Sequence, residues 1–226
     1  MGIMKTLLAT SRTEAFTRKE LFVVIGVVVL LVVALLLPAL FAAKQKAWRI
    51  GCVNRLHQIG IACKIWEGDQ GDKYPMQAVL TNAETMKLVT NGKAYLFWQT
   101  MSNELVSPIV LLCPADTERT AATNFSIGFS DANISCFFSP DAMDTYPQMI
   151  IDGDDNLAVN GVLVKPGILN LPVTGSLTWT KERHGGAGNI GFADGSVSQT
   201  MPNTLNFGVI AATNGTPFST YRWVIP

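Results

Sequence analysis

Leu21 to Ala43 is a run of 23 residues without a charge. As a helix rising about 1.5 Å per residue it spans roughly 34 Å, enough to cross a hydrocarbon core of about 30 Å. A buried core helix is the alternative, but soluble helices rarely stay apolar on every face for so long. A secretory signal has a shorter apolar region, about 7–15 residues, closed by a small-residue cleavage site. This run is longer, and no Ala-x-Ala site with a polar follow-on ends it. Pro38 sits late in the run, where it is placed to kink a helix. Lys5, Arg12, Arg18 and Lys19 precede the run, and Lys44, Lys46 and Arg49 follow it, so the positive-inside rule alone leaves orientation nearly tied.

The 226 residues suffice for one domain with a real core in addition to such a segment. A net charge of zero gives no sign of a nucleic-acid surface. From Phe16 to about Trp66 the pattern predicts one long helix. Its second half carries Cys52, Leu56, Ile59, Cys63 and Trp66 on one face, with Asn54, Arg55, Gln58 and Lys64 on the other. Such a half is built to lie against something apolar. The polar, glycine-rich stretch Glu67 to Asp72 should end it.

Tyr74-Pro75 reads as the start of extended chain, and residues 79–106 as a helix or two with loops. From Pro108 the signals favour strands, at Ile109 to Leu112, Phe125 to Phe129, Gly161 to Val164 and Gly175 to Trp179. Asn189 to Ala193, Asp194-Gly195 and Ser196 to Ser198 form a hairpin signal with Asp-Gly as the tight turn.

The four cysteines are Cys52, Cys63, Cys113 and Cys136, with no Cys-x-x-Cys pair to point to a zinc ribbon or a thioredoxin-like site. Cys52 and Cys63 are separated by about 16 Å along one helix, too far for a disulfide, whose Cα atoms lie within about 7 Å. Each helix cysteine therefore pairs with the later segment or stays a buried thiol.

The stretch Ala15-Phe16-Thr17-Arg18-Lys19-Glu20-Leu21 and the apolar helix after it resemble the prepilin cleavage and methylation motif of type IV pilin-like proteins. That pattern is a small residue, usually Gly, then Phe-Thr-Leu-Ile-Glu-Leu. Here Ala15 replaces the Gly, and Arg18 and Lys19 stand where the family has apolar residues. Later elements are similar to a pilin-like subgroup, the prepilin-associated H-X9-DG proteins. They are Leu36 to Leu40, Cys52 to Gly60, Asp69 to Pro75, Cys113-Pro114-Ala115-Asp116, and His184 nine residues before Asp194-Gly195.

The resemblance implies cleavage by a prepilin peptidase between Ala15 and Phe16, on the cytoplasmic side, and N-methylation of Phe16. It implies that Glu20, costly at the edge of a bilayer core, meets the Phe16 amine of a neighbouring subunit. Pairing of Glu20 with Arg18 or Lys19 in the headgroup zone is the alternative. Because Cys52 and Cys113 both lie in family-like elements, they are the expected disulfide.

His184 and Asp194 invite a catalytic reading as an exported hydrolase, but the sequence shows no nucleophile or third partner. The expected role is structural, with His184 bonding across the hairpin to hold the Asp194-Gly195 turn. Metal binding is a further alternative. Asp152, Asp154 and Asp155 supply oxygens within a short acidic loop, which makes calcium a candidate, although the rest of an EF-hand is missing.

The resemblance thus implies an α+β, pilin-like fold: a long N-terminal helix, membrane-embedded in its first half, packed on a small antiparallel sheet. Residues 1–15 would be the leader, 16–43 the transmembrane and assembly helix, and 44–226 the exported domain. The implied function is a structural subunit of a type IV pilus-like or type II secretion pseudopilus assembly, not an enzyme, with no cofactor required. Its partners would be the peptidase, other pilin or pseudopilin subunits and the bacterial inner membrane, crossed once with the N-terminus cytoplasmic. An unassembled, membrane-anchored module whose exported domain recognises a surface glycan or protein is the alternative.

Overall fold

The computed structural model describes residues 17–79, 86–87, 89, 93–172, 175–201, 205–206, 209, 215–216 and 220–226. The expected junction at Ala15 and Phe16 lies outside them. The chain divides into two compact units, one ending at Lys44 and the other comprising Gln45–Pro226.

The long helix α1 spans Arg18–Asp69, with Pro38 inside it. It opens on a capping box. The Glu20 N–H donates to Thr17 Oγ1 (3.4 Å), while Glu20 Oε2 accepts from the Thr17 N–H and hydroxyl at 2.8 and 2.9 Å. In the first unit its apolar side chains are exposed on every face, up to 74 % at Leu35. It is long and apolar enough to cross a membrane, with a mean hydropathy of 3.3 over its best 18-residue stretch.

The α1 residues of the second unit behave differently. Cys52, Leu56, Ile59, Gly60, Ala62 and Cys63 are buried, while Asn54, Gln58 and Lys64 face solvent. Burying a side chain such as Leu56 or Ile59 contributes roughly 1.5–3 kcal/mol. The exit is a glycine cap: Gly71 is left-handed (φ 75°), and the Asp72 N–H returns to the Glu67 carbonyl at 3.0 Å.

Tyr74-Pro75 does not begin extended chain. Pro75–Val79 is a short helix, α2, and proline suits its first position because the N–H it lacks has no helical acceptor there. Tyr95–Thr100 (α3) and Ser102–Leu105 (α4) are two more short helices. The expected strand at Ile109 to Leu112 is instead a 3-10 turn over Pro108–Leu111, with Ser107 as its cap. Phe125 to Phe129 is no strand either. Asn124 Oδ1 accepts from the Ser126 and Ile127 N–H groups at 3.0 and 2.7 Å, curling the chain into a loop.

Nine strands follow among the described residues: β1 (Cys136–Phe138), β2 (Ile150–Asp154), β3 (Leu157–Val159), β4 (Val162–Leu163), β5 (Gly167–Leu171), β6 (Leu177–Trp179), β7 (Gly188–Phe192), β8 (Val197–Thr200) and β9 (Tyr221–Ile225). Six form one antiparallel sheet in the order β5-β9-β1-β2-β7-β8, and three form another, β4-β3-β6. The fold is therefore α+β, with a larger sheet than expected and a second small one. β1 and β2 are buried throughout, so both faces of the sheet centre are covered. Stacked rings fix that centre, Phe97 on Phe138 and Phe137 on Trp223, each pair with centroids 4.1 Å apart.

The β7–β8 hairpin forms at the expected place with a longer loop. The Gly195 N–H bonds to the Phe192 carbonyl, and the Phe192 N–H to the Ser196 carbonyl, both at 2.9 Å. Ala193, Asp194 and Gly195 are thus a three-residue loop in which left-handed Gly195 (φ 85°) closes the turn. Asp194 acts within it, its Oδ1 accepting from the Ser196 N–H and hydroxyl.

Candidate functional site

Two clusters hold the second-unit part of α1 to the sheet. The first is built on the hairpin loop. His57 Nδ1 lies 2.8 Å from the Gly195 carbonyl, so Nδ1 must carry the ring proton, because a carbonyl only accepts. Gly60 faces Gly195: a Cβ at Gly60 would sit 3.5 Å from the Gly195 Cα. The buried Tyr74 hydroxyl donates to the Ala193 carbonyl. The expected bond from His184 across the hairpin is therefore not made. His57 and Tyr74 hold that turn, and His184 and Asp194 have separate partners.

His184 belongs to the second cluster. Its side chain is only 1 % exposed, with Nε2 at 3.3 Å from Cys113 Sγ and 3.5 Å from Asp154 Oδ2. Its carbonyl accepts from the Arg49 guanidinium at 2.7 Å. Cys113 is joined to Cys52 by a disulfide, while Cys63 and Cys136 are buried free thiols. The bridge ties α1 directly to the turn after Pro108–Leu111. Arg55, on the helix face expected to be free, reinforces the same joint by donating to the Leu112 carbonyl.

The acidic run, expected as a loop, is the buried end of β2 and the residue after it. Its three carboxylates go to three surroundings. Asp152 is fully buried beside Gly191, and among the described residues no well-formed hydrogen bond reaches either oxygen. Burial, and then the Asp154 charge, push its carboxyl well above the ordinary range. Asp154 Oδ2 accepts from the Asn189 main-chain N–H and side-chain amide at 2.9 and 2.8 Å. Burial lifts it to about 6, against the opposing pull of Arg183 and Asn189. Asp155 pairs with both Arg119 and Arg183.

Asp116, from the Cys-Pro-x-Asp element, meets the same two guanidiniums at 3.2 and 3.3 Å. The result is a ring of alternating charge: Asp116, Arg119, Asp155, Arg183. Burial works to raise the Asp116 carboxyl, but Arg183, two backbone N–H groups and Arg119 outweigh it and hold it low. Removing one member of such a buried ring costs about 3–5 kcal/mol, because it strands the opposite charge. Of the ring, Arg183 also acts on His184: burial, then Arg49 and Arg183, lower its imidazole to about 4. It is therefore neutral at pH 7.

Cys52, Cys113, Asp154 and His184 place their ligand atoms within 4.8 Å of one another. No other group of three or more such side chains meets in this way among the described residues. A cavity of about 10 Å³ adjoins them, lined in part by Cys52, Cys113, Cys136, Asp154 and Arg55. That is the size of one water or ion. Sequence reasoning missed His57, Tyr74 and the arginines. The available signal was several isolated arginines in a chain of zero net charge, beside an acidic run that needs counter-charge.

No family model, curated protein or solved structure matches this chain.

Proposed function

We propose that the chain is a membrane-anchored subunit of a pilus-like or pseudopilus assembly. Prepilin peptidase would cleave it after Ala15, and the new Phe16 terminus would be N-methylated. The observation that carries this reading is the apolar part of α1: an 18-residue stretch of mean hydropathy 3.3 with no residue buried. So much apolar surface needs lipid, or the matching helices of other subunits, to cover it. In this reading Glu20 meets the Phe16 amine of a neighbour, and Gln45–Pro226 is the exported, pilin-like domain. The sequence resemblance at Ala15 to Leu21 supplies the processing step.

The test is the mass of the mature protein from cells with an active peptidase. A chain starting at N-methyl-phenylalanine 16, whose subunit cross-links disappear in Glu20→Ala, is expected. A chain that keeps Met1 contradicts processing.

One observation favours a second reading. Glu20 already accepts two hydrogen bonds from Thr17 in its own capping box, so it needs no neighbour's amine. The chain would then be a tethered, unassembled module whose exported domain binds a surface glycan or protein. Cross-linking unchanged by Glu20→Ala would favour it.

A further inference from the structure

The second cluster holds two sulfurs, an imidazole and a carboxylate converging from four parts of the chain: α1, the Cys113 turn, the end of β2, and the His184 loop. This is the donor set of a tetrahedral zinc site. In such a site the ligand atoms lie about 3.3–3.8 Å apart. Here His184 Nε2 is 3.3 Å from Cys113 Sγ and 3.5 Å from Asp154 Oδ2, and all four atoms fall within 4.8 Å. Asn189 fixes the carboxylate by donating two hydrogen bonds to its Oδ2, and a metal bound to that oxygen would displace one of them. Such outer partners orient metal ligands. The neighbouring cavity of about 10 Å³ leaves room for the sulfurs to part.

What excludes a metal now is the Cys52–Cys113 bond, which leaves no thiolate. In that state Asp154 is the only anion among the four side chains, and Arg49 and Arg183 stand close by. A cation has little reason to enter. Reduction reverses this balance by adding two thiolates.

We propose that reduced chain binds one zinc-type dication on Cys52, Cys113, His184 and Asp154, so that disulfide and metal are mutually exclusive fastenings of the same helix-to-sheet joint. A dithiol reduces the Cys52–Cys113 bond, becoming a cyclic disulfide and leaving two thiols on the protein. The dication then displaces both thiol protons, forming two metal–sulfur bonds and releasing two protons to solvent. No other electrons move. The site is independent of whether the chain assembles into a filament.

The experiment titrates Co2+ alone into the full chain in detergent. One sample is oxidised; the other is reduced with a dithiol that is removed under inert gas. The reduced chain should take one Co2+ with a thiolate-to-cobalt charge-transfer band and the strong visible bands of four-coordinate cobalt. Zn2+ should abolish both and raise the melting temperature of the reduced chain. The oxidised chain should show neither effect. Asp154→Asn and His184→Ala should weaken Co2+ binding by at least about 10-fold, and Cys63→Ser and Cys136→Ser should leave it intact. The redox comparison needs no variant, so a misfolded mutant does not blunt it. Equal binding by the two forms, no binding by either, or loss of the band in Cys136→Ser with retention in His184→Ala would overturn the proposal.

Discussion

The two parts of α1 on either side of Lys44 are one helix by backbone and two by chemistry. From Leu21 to Phe41 every face is apolar and exposed. From Cys52 to Cys63 a one-sided stripe, Cys52, Leu56, Ile59, Ala62 and Cys63, is buried, while Ile61 on the other side stays exposed. The width of the apolar band therefore separates the two parts: all-round in the first, which is long and apolar enough to cross a membrane, and one-sided in the second, which lies against a domain core. The second part is also fastened chemically, by the Cys52–Cys113 bridge, by Arg55, and by His57 and Gly60 at the hairpin loop. The first part carries the Thr17–Glu20 cap at its start.

A charge placed in each part breaks the comparison if it is wrong. Ile59 is fully buried, so Ile59→Arg strands an unpaired charge at a cost of several kcal/mol. Circular dichroism should show loss of the sheet domain. Leu30→Arg should leave that domain's melting unchanged and lower membrane insertion by about 2.5–3.5 kcal/mol. If either variant produced the other's phenotype, the division near Lys44 would fail.

The fastening sharpens the contrast next. The bridge closes a 61-residue separation, so Cys52→Ala with Cys113→Ala should lower the stability of the second unit by about 2–4 kcal/mol. Membrane partition should not change, as chemical denaturation and fractionation together would show.

A smaller effect should appear with pH in the disulfide-bonded form. The folded His184 value, about 4, lies below its ordinary 6.5. The unfolded chain binds that proton more tightly, so this contribution is present above pH 6.5 and lost as pH falls towards 4. Asp154 has the opposite sign. Its folded value of about 6 exceeds 3.8, so its contribution is present below 3.8 and lost as pH rises through 6. The two offset each other. Asp154→Asn should therefore steepen acid destabilisation by on the order of 2 kcal/mol across this window, and His184→Gln should reverse the slope. Denaturation curves at pH 4, 5, 6 and 7 would check both. Least of all, Tyr74→Phe deletes the bond to the Ala193 carbonyl and should cost about 1 kcal/mol.

The long helix and the change of its apolar band follow from spacing, and the hairpin at Asp194-Gly195 from its turn residues. Short apolar runs misled, because Ile109 to Leu112 and Phe125 to Phe129 are too short to show a period. Ser107 and Asn124 decided their local structure instead. The acidic run misled for a different reason. Asp152 to Asp155 reads as a loop until β2 is seen to be buried throughout, and Asp155 finds its Arg183 partner 28 residues away. His184, expected across the hairpin, meets Cys113 and Asp154 instead, and nothing local predicts that His57 reaches the hairpin loop.

The central claim is that one helix serves an apolar surrounding up to about Lys44 and a domain core beyond it. Alkaline carbonate extraction of membranes from cells making the full chain tests it most directly. The account predicts that the chain stays in the membrane pellet, with Gln45–Pro226 folded and the Cys52–Cys113 bridge intact. A folded, bridged full chain in the supernatant would contradict it.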